Sequence, residues 1–212
     1  MERNMIIRIK TCAFAAVLSM LCVVAAATDS LDEVHRNMQQ MNTFSAQFTQ
    51  IKKFNILSKP LLMKGRLFIQ RTPFKLAWHI ETPLRCSVIM DMEELRQWNE
   101  DSDDIQVIRM ADNPVLKTVS DSYRTMLTGD FSSFNTTCKL ELDKTTRILS
   151  LTPLPGSQMR QFIKMIQFHF AETYQYLNQI EIVEVNNNST SINFNNASVN
   201  KALPDNAWSI GK

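Results

Sequence analysis

"GRLFIQRTPFKLAWHIETP", residues 65–83, alternates its side chains on both sides of a proline at position 73. Before the proline, Arg66, Phe68 and Gln70 share one face, and Leu67, Ile69 and Arg71 share the other. Beyond it, Leu76, Trp78 and Ile80 alternate with Ala77, His79 and Glu81. A period of two belongs to strands that bury one face, so the stretch reads as two strands around a kink. Arg71 is the residue out of place, a cation on an otherwise apolar face. Three roles are open to it: an edge guard, a catalytic cation, or a latch over something apolar.

The same alternation recurs along most of the chain. Strands are expected at 44–54, 61–71, 75–81, 86–91, 94–99, 105–110, 137–143 and 147–152. They are expected again in "IQFHFA" (166–171), "NQIEIVEV" (178–185) and "TSINFNNASV" (190–199), the last two joined by a turn at "NNNS". Two segments are helical instead. Ser30 and Glu33 form a capping box before a narrow apolar stripe of Leu31, Val34, Met38 and Met41. In the middle, Asn113-Pro114 opens a helix that carries Val115, Leu116, Val119, Tyr123, Met126 and Leu127 at helical spacing and stops at Gly129. The residues from Ser157 to Ile163 suit a single helical turn. The pattern is that of a large antiparallel sheet with one helix before it and one across its middle.

Residues 1–27 stand apart. A basic start (Arg3, Arg8, Lys10), an apolar run from Cys12 to Val24 and Ala25-Ala26-Ala27 make a removable secretory leader. Met20 and Leu21 precede Cys22 where lipid attachment needs small residues, so the expected product is soluble. The leader holds three basic residues and one acid, which leaves 20 of each sign in residues 28–212 and no net charge. That balance argues against a nucleic-acid partner or a polybasic membrane-surface protein. The remaining length suits one domain. Cys86 and Cys138 remain, either paired in an oxidising compartment or as two buried thiols.

Catalytic and metal patterns are absent. The histidines, His35, His79 and His169, lie on different elements, and four glycines leave no phosphate loop. "NEDSDD" (99–104) lacks the glycine and distal glutamate of a calcium loop and reads as a hairpin turn. No cofactor or metal is expected. Twelve phenylalanines against three tyrosines, together with twelve methionines, suit a pliable apolar interior. That composition favours binding over chemistry.

Several stretches resemble the LolA family of periplasmic outer-membrane lipoprotein carriers. They are "FSAQFTQ" (44–50) after a capped helix, the 65–83 run with its Trp78-His79 pair, "LSLTPLP" (149–155) and "SINFNNASVNKALPD" (191–205). The resemblance implies a mainly β (α+β) fold, an unclosed antiparallel β-barrel or half-barrel with an N-terminal helix and a helical lid. It implies a periplasmic monomer without enzymatic activity that takes acylated lipoproteins, or another acyl lipid, from an inner-membrane ABC exporter to an outer-membrane acceptor. It assigns Phe48, Leu67, Ile69 and Trp78 to the cargo wall, and Val115, Leu116, Val119 and Tyr123 to the lid. Arg71 takes the place of the family's latch, which hydrogen-bonds lid backbone. The family arginine abuts the proline, whereas Thr72 intervenes here. Either a bulge absorbs that residue or Arg71 points outwards. Two rival functions keep a place: an enzyme acting on envelope lipids through His79 with Glu81 or Asp91, and a secreted β-scaffold whose side chains fill the hollow.

Overall fold

In the computed structural model, which describes residues 31–113, 117, 120–121, 124–127 and 129–211, the 65–83 run forms two neighbouring antiparallel strands. The leader, Ser30 of the capping box, and the lid positions Val115, Leu116, Val119 and Tyr123 lie outside the described residues. The first strands are β1 (Thr43–Lys53), β2 (Leu61–Gln70), β3 (Lys75–Thr82), β4 (Cys86–Asp91), β5 (Glu94–Asn99) and β6 (Ile105–Arg109). They pair in order as an antiparallel meander. A second meander follows: β7 (Cys138–Asp143), β8 (Ile148–Pro153), β9 (Ile163–Phe170), β10 (Leu177–Glu184) and β11 (Ser189–Val199).

β11 pairs with β1 and joins the two meanders into one 11-stranded sheet, with β6 and β7 as its opposite edges. The sheet is therefore unclosed. Strand boundaries agree with the alternation to within a few residues, because the strands, apart from the exposed edge strand β6, bury one face. Several ends are shorter than expected. β2 stops at Gln70, so Arg71 falls in a turn, and β6 stops at Arg109, where Met110 opens a short 3-10 turn. "NEDSDD" is a hairpin turn, in which Asp103 adopts φ +48° and its carboxylate accepts from Trp98 Nε1 at 3.0 Å.

The first helix, α1, covers residues 31–39. Its stripe is buried as expected, with Val34, Met38 and Met41 nearly inaccessible. Val34 and Met38 pack with Phe131, Leu149, Leu151, Phe168 and Phe170 over the second meander. The second helix, α2, is described at 117, 120–121 and 124–127. On the opposite, convex face, Phe68, Ala77 and Ile89 are covered by a C-terminal strap carrying Leu203, Ala207, Trp208 and Ile210. The sheet is thus clad on both faces.

Cys86 and Cys138 are both free. They sit on β4 and β7, far apart in strand order. Burial raises both thiols above their ordinary range, which lowers their reactivity.

Candidate binding cavity

Alternation aims one set of side chains from each strand at the concave face. Leu67 and Ile69 of β2, Leu76 and Trp78 of β3, and Met90 of β4 form one wall. Ile180 and Ile182 of β10 and Ile192 and Phe194 of β11 form the facing wall. Between them lies a cavity of about 540 Å³, inside the ~300–1,000 Å³ range of ligand sites. Met38 of α1, Met41 after it, and Met126 and Leu127 of α2 complete its boundary. Gln50 and Thr190 are the lining residues that bring an amide and an aliphatic hydroxyl; apart from the Tyr176 phenol the rest are apolar. Such a lining can hold hydrocarbon and offers little to orient a polar reactant.

Leu67, Ile69 and Trp78 therefore stand together on the wall. Phe48 does not reach the lining. It is buried behind Trp78, with ring centroids 4.1 Å apart, and holds that indole in place from below. The facing wall went unnamed in the sequence reading, although Ile180 and Ile182 alternate with Glu181, and Ile192 and Phe194 with Asn193. That alternation was the available signal. Met126 and Leu127, on the helix that the four expected lid positions share, border the cavity.

Arg71 occupies the doorway. A smaller recess of about 190 Å³ adjoins the cavity and shares Met41, Ile69 and Leu127 with it. Arg71, Thr72, Phe74 and Arg124 complete that recess. The pairing of β1 with β2 runs unshifted up to Gln70, so no bulge in that ladder takes up the extra residue. The turn does so instead, because outside the ladder a side chain is not bound to strand alternation. The Arg71 backbone N–H donates to Asn42 O at 2.8 Å. Its guanidinium Nη1 donates to Met38 O at 3.4 Å and to Gln39 O. Those carbonyls close the C-terminal turn of α1, where orphan acceptors and the negative end of the helix dipole favour a cation. The helix that Arg71 grips is thus α1.

His79 and Glu81 each take other partners. His79 is buried on the convex side, its Nδ1 2.9 Å from Ser87 Oγ and its Nε2 2.9 Å from Ala207 O. The carbonyl can only accept, so Nε2 carries the proton and Nδ1 accepts from the serine. Glu81 pairs with Arg66 at 2.6 Å. Asp91 accepts from the backbone N–H groups of Glu93 and Glu94 and so caps its turn. His79 pins the C-terminal strap. Replacing it with Gln is expected to lower folding stability by about 1–3 kcal/mol, the cost of leaving a buried partner unmatched. Thermal unfolding would check this. Among the described residues no cluster of His, Cys, Asp and Glu could hold a metal ion.

An open antiparallel half-barrel with an apolar hollow bounded by two helices defines a class of binding fold. The chain belongs to the LolA family, whose model, described as outer membrane lipoprotein carrier protein LolA, matches residues 39–210. Comparison with curated protein sequences gave no match. Among solved structures, MucB superposes with a TM-score of 0.56 at 12% identity, over 88% of this chain and 63% of that one. A chain of the Pseudomonas aeruginosa MucA/MucB complex gives 0.54 at 12% identity, over 88% and 61%. An uncharacterised conserved protein from Thermus thermophilus gives 0.50 at 7% identity, over 85% and 91%. This chain spans about three-fifths of the length of the first two. At such identities the likeness is one of fold.

Proposed function

We propose that the protein is an exported carrier that holds the acyl chains of lipoproteins, or of another exported acyl lipid, in the half-barrel and passes them towards the outer membrane. The leader and family membership support a periplasmic location, with an inner-membrane ABC exporter as donor and an outer-membrane acceptor as recipient. The cavity of about 540 Å³ with an almost wholly apolar lining carries the reading. It also favours carriage over the two rivals. A scaffold would fill the hollow with side chains, and an enzyme would need polar groups converging on it.

The energetics suit transfer. Each buried methylene contributes about 0.8 kcal/mol, so a sixteen-carbon chain gains on the order of 12 kcal/mol before costs. A rigid open groove with that affinity would keep its load. Here Met38, Met126 and Leu127 border the empty space. Cargo must displace part of this cover, and the cover recovers its own apolar contacts when cargo leaves. The lipid's net affinity is reduced by that competition.

The test is to express the full-length sequence, recover the protein from the cell envelope and analyse its solvent extract by mass spectrometry. Stoichiometric lipid or lipopeptide, and saturable uptake of a fluorescent acyl probe, are expected. An empty extract together with no uptake would overturn the reading.

A further inference from the structure

The chain's neutral total hides a sharp local imbalance. From Val34 to Ile80 there is no aspartate or glutamate, while eight lysines and arginines fall in that stretch. β1 and β2 make up much of it, and their hairpin carries Lys52, Lys53, Lys59 and Lys64. The acids nearest to this hairpin in register are already engaged. Glu184 pairs with Lys52 at 3.6 Å and Glu81 with Arg66 at 2.6 Å. Among the described residues, Lys53, Lys59 and Lys64 have no carboxylate partner.

The same hairpin is apolar where it should be wet. β1 and β2 last pair at Lys52 and Leu61, and residues 54–60 run beyond that pair as a loop. Ile56 at its tip is 90% exposed, Leu57 56%, and Leu61 and Leu62 at its base 40% and 46%. The loop is seated on the sheet rather than loose: Asn55 N–H donates to Asn188 Oδ1 at 2.8 Å, and Leu57 N–H to Phe54 O at 3.1 Å. Phe162 and Val185, 68% and 53% exposed, lie at this same end, where Val185 N–H donates to Phe162 O at 2.9 Å.

We propose that the β1–β2 hairpin is a docking tip for an anionic lipid bilayer, with Ile56 and Leu57 entering the interface and Lys53, Lys59 and Lys64 resting on the headgroups. Scattered exposed aliphatic residues are ordinary, but four on one protruding hairpin fringed by unpaired lysines are not. Protruding aliphatic side chains with a basic fringe match a fluid, negatively charged interface. Protein partners are gripped mainly through Trp, Tyr and Arg anchors, with Leu under-represented, and this tip carries Ile, Leu and Lys. The inference does not depend on what the cavity holds.

Sedimentation with phosphatidylcholine vesicles, with and without phosphatidylglycerol, tests it on the protein recovered from the envelope. Binding is expected to vesicles containing phosphatidylglycerol only, and to weaken as salt is raised. The double variants Ile56→Ser/Leu57→Ser and Lys53→Gln/Lys59→Gln should each lower partitioning by about tenfold or more. Thermal unfolding and acyl-probe uptake should stay at the unsubstituted level in both. Protein preloaded with acyl probe should bind vesicles as well as empty protein does. Equal binding to neutral vesicles, loss of binding on preloading, or variants that bind like the unsubstituted protein would each overturn the proposal. So would no vesicle binding at all, which would assign the tip to a protein partner.

Discussion

Gly65→Ala is expected to destabilise the fold severely, although it adds a single methyl group to a strand. A Cβ at this position would stand 1.8 Å from the His79 carbonyl oxygen, 2.8 Å from its carbon and 2.9 Å from Cζ of Phe48. The first two atoms belong to the backbone of β3, held by the ladder to β2 and β4. They can withdraw only if the strands part. The ladder is already irregular here, for the β2–β3 register shifts between Lys64 and Gly65. Glycine in a strand marks such a bulge or a close backbone approach, and here it marks both. Overpacking against movable side chains costs about 1–3 kcal/mol; against fixed backbone the cost should exceed about 3 kcal/mol. That is a large share of the ~5–15 kcal/mol that stabilises a domain. Phe48 pairs with Gly65 across β1 and β2 and supports Trp78, so the damage would spread to the cavity wall. Gly156→Ala is the control. Its φ is +88° but nothing lies within 4 Å of the added carbon, so only local strain of roughly 1–2 kcal/mol is expected. Denaturant unfolding of both variants measures the contrast, and equal midpoints would refute the close-approach argument.

Some of this was legible in the residues and some was not, for physical reasons. Alternation placed the strands because all of them except the exposed edge strand β6 bury side chains on one face, and burial is what the pattern records. It also contained the cavity's second wall, in Ile180, Ile182, Ile192 and Phe194, but a face assigned to one strand does not say which strand it will oppose. Gly65 stood in the stretch that decides the fold, yet its necessity comes from His79 on the neighbouring strand. His79 in turn draws its role from Ala207, 128 residues away. Net charge left one thing out. A total of zero took no account of where the charges sit, and an acid-free stretch of lysine-bearing hairpin is visible only when charge is read segment by segment. Arg71 was undecidable from alternation because its direction is set in a turn, where the period of two no longer applies.

On the proposed carrier function, Arg71→Leu is expected to leave the fold intact and make the protein hold its load too tightly. The arginine fastens the end of α1 through the carbonyls of Met38 and Gln39, and Met38 itself borders the cavity. Hydrogen bonds from a charged donor are worth about 1.5–3 kcal/mol. Arg71 is only half-buried, so the lower end applies. Leucine would fit the recess formed by Met41, Ile69, Phe74 and Leu127 but donates nothing to α1. The bonds stabilise the covered, empty state and leave the loaded state alone if the cover moves to admit cargo. Losing about 1.4 kcal/mol of that stabilisation raises apparent affinity for an acyl chain about tenfold. Because the cover competes with cargo for the same space, release should slow by a similar factor. Arg71→Lys should fall between the two, since an ammonium keeps the charge at the helix end but lacks the planar fork. Equilibrium titration with a fluorescent acyl probe and the rate of probe transfer to acceptor vesicles read out both effects, and thermal unfolding confirms the fold. Unchanged affinity and transfer in Arg71→Leu, with α1 still in place, would reduce the guanidinium to a helix cap with no part in release.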